Sequence, residues 1–197
     1  MKLDLNNWNG RVLVCAHCDD ELLNCSSILQ GSLVVIVTNG DLGRPIDCNM
    51  SVEEYAKERL AESTRVAARY DVAHLVLLEY SEVELNAGNP KILEKINNLL
   101  EYCNPETIYT HHWNSQHPGH KVLGQWALNN WADKYFTLYF CDQHHAPKEN
   151  PVIGVSLGDE QWKKKLENIL SFHTQSNWLP QHVMTNVGHF KEEGFWR

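Results

Sequence analysis

Val14-Cys15-Ala16-His17-Cys18-Asp19-Asp20-Glu21 is a hydrophobic run that ends directly in one imidazole and three carboxylates. The apolar half reads as a buried strand. The polar half reads as a turn and the opening of a helix, because acidic side chains favour the positive end of the helix dipole. Four polar groups therefore leave a strand together.

Outward from this stretch, short apolar runs alternate with longer amphipathic segments. Strands are expected over Val12–Ala16, Leu33–Thr38, His74–Glu79, Thr107–Thr110 and Thr137–Cys141. Helices are expected over Ser51–Tyr70, Asn89–Tyr102, His117–Trp131 and Asp159–His173, the first opened by a capping box of Ser51 and Glu54. This alternation predicts an α/β fold, a parallel sheet with helices on both faces. The 197 residues suit one domain, spanning 1–197. Right-handed connections in such sheets gather the strand C-termini on one edge, where ligands of open α/β folds bind. Asn39–Met50 and His144–Gly158 are long enough to be functional loops.

Composition narrows the function classes. With 25 acidic against 17 basic residues the formal charge is −8, and no Lys/Arg cluster offsets it, so nucleic acid is not an expected partner. No apolar run reaches the roughly 20 residues that span a bilayer, and Met1–Gly10 carries no apolar leader core, so membrane insertion is not expected and the expected setting is the cytoplasm. Six scattered cysteines suit reduced thiols. The sequence allows a homo-oligomer and does not specify one.

If a helix begins near Cys18, His17 and Asp20 stand three residues apart and can converge on one ion, with Asp19 directed beside it. Zinc takes imidazole nitrogen and carboxylate oxygen, and a catalytic site uses three protein ligands. The plainer reading is that the acids only complement a helix start. A third ligand is available after the fourth strand, in His111-His112-Trp113-Asn114-Ser115-Gln116-His117-Pro118-Gly119-His120. Pro118 suits the first turn of a helix, which places His117 and His120 at its start on the same sheet edge. A zinc-finger pairing of Cys15 and Cys18 with His117 and His120 has the wrong spacing for such modules. A dinucleotide-binding oxidoreductase would carry glycines where His17–Glu21 stands.

These motifs resemble those of the N-acetylglucosaminyl-phosphatidylinositol deacetylase family, the LmbE-like or PIG-L deacetylases. Ala16-His17-Cys18-Asp19-Asp20-Glu21 is similar to the family's Ala-His-Pro-Asp-Asp-Glu, with Cys18 in place of proline. Thr38-Asn39-Gly40-Asp41-Leu42-Gly43 is similar to its Thr-x-Gly-x-x-Gly turn, and Arg59-Leu60-Ala61-Glu62 to its Arg-x-x-Glu. His117-Pro118-Gly119-His120 is similar to its His-Pro-Asp-His, with Gly119 in place of aspartate, and Thr174-Gln175 to a late Ser-Gln. The resemblance implies a three-layer, Rossmann-like, LmbE-like deacetylase fold. It implies one Zn²⁺ per chain on His17, Asp20 and His120, with Asp19 as general base.

On that basis the expected reaction is hydrolysis of an N-acetyl group from an amino sugar or sugar-like amine, with a small N-acetylated molecule as partner. His117 is expected to stabilise the oxyanion, and Glu21 either to orient a ligand or simply to cap the helix. Arg59 and Gly40 are expected at the substrate, with salt bridges of Arg59 to Glu62 or Asp19 as the alternative. Arg44, Trp113 and His144 are expected at the rim, where aromatic faces stack on sugars. Loss of aspartate at Gly119 and of proline at Cys18 leaves an alternative: a catalytically weakened metal- or carbohydrate-binding protein on the same fold.

Overall fold

The structure is a computed structural model that describes residues 5–138, 151–185 and 187–196. Five strands run parallel: β1 (Arg11–Cys15), β2 (Leu33–Thr38), β3 (His74–Tyr80), β4 (Thr107–Thr110) and β5 (Tyr135–Leu138). Two late strands, β6 (Ile153–Ser156) and β7 (Glu192–Trp196), extend the sheet antiparallel, giving the order β3-β2-β1-β4-β5-β7-β6. The sheet is thus mostly parallel, as expected of the α/β fold, with two antiparallel strands added at this edge.

Alternation along the strands decides which helices cover which face. Leu13, Cys15, Val34 and Ile36 point to one core, completed by α1 (Asp20–Cys25), α2 (Val52–Arg69), α6 (Asp159–Ile169) and α7 (Leu179–Thr185). Val12, Val14, Leu33, Val35 and Val37 point to the other, closed by α3 (Glu82–Asn86), α4 (Pro90–Cys103) and α5 (Pro118–Trp131). A further short helix, α8 (Val187–Lys191), leads into β7. The capping box at Ser51 and Glu54 is present, and Pro118 takes the first turn of α5. The predicted strand over Thr137–Cys141 is β5 at Tyr135–Leu138, its last three positions lying outside the described residues. The predicted helix over Asp159–His173 stops at Ile169, and a separate 3₁₀ turn occupies His173–Gln175. Cys15, Cys18, Cys25, Cys48 and Cys103 are unbridged.

β1 sits between β2 and β4, so its crossovers leave in opposite directions and open a crevice at its C-terminal end. His17–Glu21 emerges there, facing the residues that follow β4.

Candidate active site

The turn after β1 is tight. α1 begins at Asp20, one residue after Asp19, whose φ of 129° is a strained conformation for a side-chain-bearing residue and costs on the order of 1–3 kcal/mol. Buried partners hold it there. Glu21 Oε2 accepts the Asp19 amide at 2.9 Å, and Asp20 Oδ2 accepts the His17 amide at 2.8 Å. Glu21 is therefore more than a helix cap, because it clamps the backbone of the strained residue. Cys18 turns the other way, into the apolar core, where burial raises its thiol well above the ordinary range. The Cys18 sulfur therefore packs in the core rather than joining the donor set.

Asp20 is the hub. Its Oδ2 stands 3.4 Å from His17 Nδ1, 3.7 Å from His120 Nε2 and 3.3 Å from His111 Nε2. His120 Nε2 and His17 Nδ1 are 3.1 Å apart. The donor atoms of His17, Asp20 and His120 therefore form a triangle with edges of 3.1, 3.4 and 3.7 Å. Ligands about 2.0–2.1 Å from a tetrahedral zinc ion are separated by roughly 3.3 Å, so this donor set fits a divalent ion of that size. His111 was not among the expected residues. It lies directly after β4, fully buried, with its ring stacked on His120 at 3.9 Å. Its Nε2 accepts the Ala16 amide at 2.9 Å, so that lone pair is engaged and His111 is the weaker ligand candidate. His117 caps the start of α5 and offers a ring nitrogen within 4.8 Å of those of His17 and His120.

The electrostatics follow from crowding. Burial works against a charge on Asp20, yet His120 and His111 hold its carboxyl well below the usual range. Burial also opposes a charge on His17, but hydrogen bonding to Asp20 and Glu82 outweighs it and raises the imidazole to about 10. Burial lowers His111, His117 and His120 below the ordinary imidazole value. Asp19 is pushed up to about 7 by burial, against the pull of Arg59.

Arg59 is buried, 3.6 Å from Asp19 Oδ2, and donates to the Cys18 carbonyl at 2.5 Å. Of the two expected alternatives for Arg59, the Asp19 salt bridge is formed, while Glu62 instead accepts the Thr174 amide at 2.9 Å. The glycine turn explains itself through the same guanidinium. A Cβ on Gly40, whose φ is 71°, would lie 3.1 Å from Arg59 Cζ, and one on Gly43 would lie 2.9 Å from its Nη1. These glycines make room for Arg59.

A cavity of about 400 Å³ opens over the cluster, a size suited to a small molecule. His17, Asp19, Asp20, Arg59, His117 and His120 reach it, joined by Gln175, Trp178, His182 and Phe190. Gly40, Arg44 and Trp113 do not. Arg44 donates to the Met50 and Cys48 carbonyls at 2.7 and 2.8 Å and so staples its own loop. Trp113 and Trp178 are almost equally exposed, 44% and 43%, but only Trp178, in the turn that leads into α7, lines the cavity. His144 lies outside the described residues. Glu82 escaped the sequence reading, and His111 stood in the histidine-rich stretch after β4 without being assigned a role; only the chain's return to the same edge gathers them.

The α/β fold thus presents a histidine–aspartate donor set, one that could hold a metal ion, at its topological switch point. The chain matches the GlcNAc-PI de-N-acetylase (PIG-L) family over residues 12–131 and belongs to that deacetylase family. No curated protein matches it by sequence. Among solved structures it is similar to N,N'-diacetylchitobiose deacetylase from Pyrococcus horikoshii (TM-score 0.70, 19% identity, covering 98% of this chain and 86% of that one). It is similar also to the zinc-inhibited form of a teicoplanin deacetylase (TM-score 0.65, 14% identity, 94% and 96%). A third, 4-carboxy-2-hydroxymuconate hydratase from Pseudomonas putida, has TM-score 0.66 and 15% identity over 94% of each chain. At these identities the likeness establishes the fold. Among the described residues no helix is long and apolar enough to cross a membrane.

Proposed function

We propose that this chain is a zinc-dependent N-deacetylase that hydrolyses the acetamide of an amino sugar or sugar-like amine, in a cytoplasmic setting consistent with the unbridged cysteines among the described residues. The observation that carries the reading is the triangle of His17, Asp20 and His120 beside a carboxylate, Asp19, that lines the same cavity from a strained backbone position. One ion per chain would be held by that triangle. When bound, it supplies Lewis acidity, polarising the amide carbonyl and lowering the pKa of water toward about 7.

The chain's own residues do the rest. Asp19 takes a proton from the attacking water as its oxygen bonds to the carbonyl carbon, and returns that proton to nitrogen as the C–N bond breaks. Acetate and the free amine leave. Arg59 keeps Asp19 in place through the 3.6 Å contact rather than gripping substrate. His117, half-buried with its Nδ1 unpartnered, faces the oxygen on which charge develops and stabilises it by hydrogen bonding. Trp178 takes the stacking role that the sequence suggested for Trp113. A hydratase shares the fold, so the products decide the reaction: a panel of N-acetylated sugars is assayed for released acetate, with metal analysis of the same sample. Release of acetate in proportion to bound ion is expected. Full activity from metal-free protein overturns the reading.

A further inference from the structure

One carboxylate at the site has no part in the reaction above. Glu82 opens α3, is only 7% exposed, and places Oε2 3.4 Å from His17 Nε2. That is the far nitrogen of the ring whose Nδ1 faces Asp20 and His120. The start of α3 does not need this side chain. Ser81 and Glu84 form its capping box, and the Glu82 amide donates to Asp41 Oδ1 at 2.9 Å.

Gly119 explains how α3 comes so near. A Cβ at that position would stand 3.0 Å from Asn86 Oδ1 and 3.1 Å from Leu85 Cδ2, both on α3, so a larger residue presses the helix outward. The motif that this segment resembles has an aspartate there. In this chain a carboxylate is absent from α5 and another arrives from α3, on the opposite side of the same histidine cluster.

We propose that Glu82 is a positioning residue that accepts the Nε2–H of His17, fixing the tautomer in which Nδ1 presents its lone pair to the ion, and that Gly119 is the position that admits α3 to do so. A histidine that ligates through one nitrogen is commonly held through the other by a carboxylate, and removing such a partner typically weakens metal binding about 10–100-fold. The inference rests on His17 as a metal ligand.

The test is Co²⁺ and Zn²⁺ affinity, measured by chelator competition on the full chain, together with the visible absorption spectrum of the Co²⁺ form. Glu82→Gln keeps size and capping while removing the charge. It is expected to bind both ions about 10–100-fold more weakly and to shift the Co²⁺ bands, both read on protein that circular dichroism shows to be folded. Glu82→Asp is expected to fall between Glu82→Gln and wild type. Gly119→Ala is expected to weaken binding by a smaller factor with Glu82 intact. Equal affinity and an identical spectrum in Glu82→Gln overturn the role of Glu82, and unchanged binding in Gly119→Ala overturns that of the glycine. A wild-type protein that binds neither ion overturns the metal reading instead.

Discussion

Two buried polar clusters flank α1, and they are built on opposite principles. On one side Glu193 of β7 accepts the Ser26 amide and hydroxyl at 3.0 and 2.6 Å, the Ser27 amide at 2.9 Å, and Lys165 Nζ at 2.7 Å. Lys165 also donates to the Phe190 carbonyl at 2.8 Å. On the other side, the cluster around Asp20 crowds like groups together, and Glu21 Oε1, His117 Nδ1 and Gln175 Oε1 are buried without a partner. A buried charge whose partners are all supplied by the chain serves the fold. Donors that converge on each other with capacity left over are arranged for something that is not the chain.

That contrast can be broken most sharply at Asp19. Asp19→Asn is expected to keep the bound ion while turnover falls about 10²–10⁴-fold, read from kcat and metal content on one preparation. Normal turnover would move the proton-transfer role elsewhere. The structural cluster should behave in reverse. Lys165→Ala strands Glu193 and is expected to destabilise the protein by about 3–5 kcal/mol in urea denaturation, with activity per folded molecule preserved. A negligible loss would deny that the pair is structural.

Acid gives a smaller effect with a defined sign. Burial raises the Glu193 carboxyl, but Lys165 and the serines outweigh it and hold it below its ordinary 4.5. Its stabilisation is therefore fully present above about pH 4.5 and is lost as pH falls through the lower folded value. Melting temperatures from pH 6 down to about 3 should drop more steeply for wild type than for Glu193→Gln. Parallel curves would remove Glu193 from acid sensitivity. The smallest effect separates the two tryptophans. Trp178→Ala is expected to raise KM about 2–10-fold, the equivalent of roughly 0.5–1.5 kcal/mol of ring stacking, while Trp113→Ala changes neither KM nor kcat. The opposite pattern would return the rim to Trp113.

Much of the fold was legible because its signals are local. The apolar runs of β1 to β4, the Ser51 capping box and Pro118 in the first turn of α5 are each read within a few residues, and each is in place. The antiparallel edge was not legible, since Ile153–Ser156 is short and largely exposed and β7 follows a helix with no turn signal between them. The same division runs through the site. His17, Asp19, Asp20 and His120 stand out because they sit at strand ends and a helix start. Arg44 and Trp113, expected at the rim, lie outside the cavity lining, because composition says what a side chain can do but not which way its loop faces.

By itself, then, the sequence determined an α/β sheet and a histidine–aspartate chemistry at the ends of β1 and β4, because periodicity and spacing are properties of neighbours along the chain. Only the tertiary structure decided that Asp19 is strained and bound to Arg59, that Glu82 reaches His17 past Gly119, and that the turn before α7 brings Trp178 to the cavity. Those relations join residues tens of positions apart, and they are set by how closely helices pack, down to the space of a single Cβ.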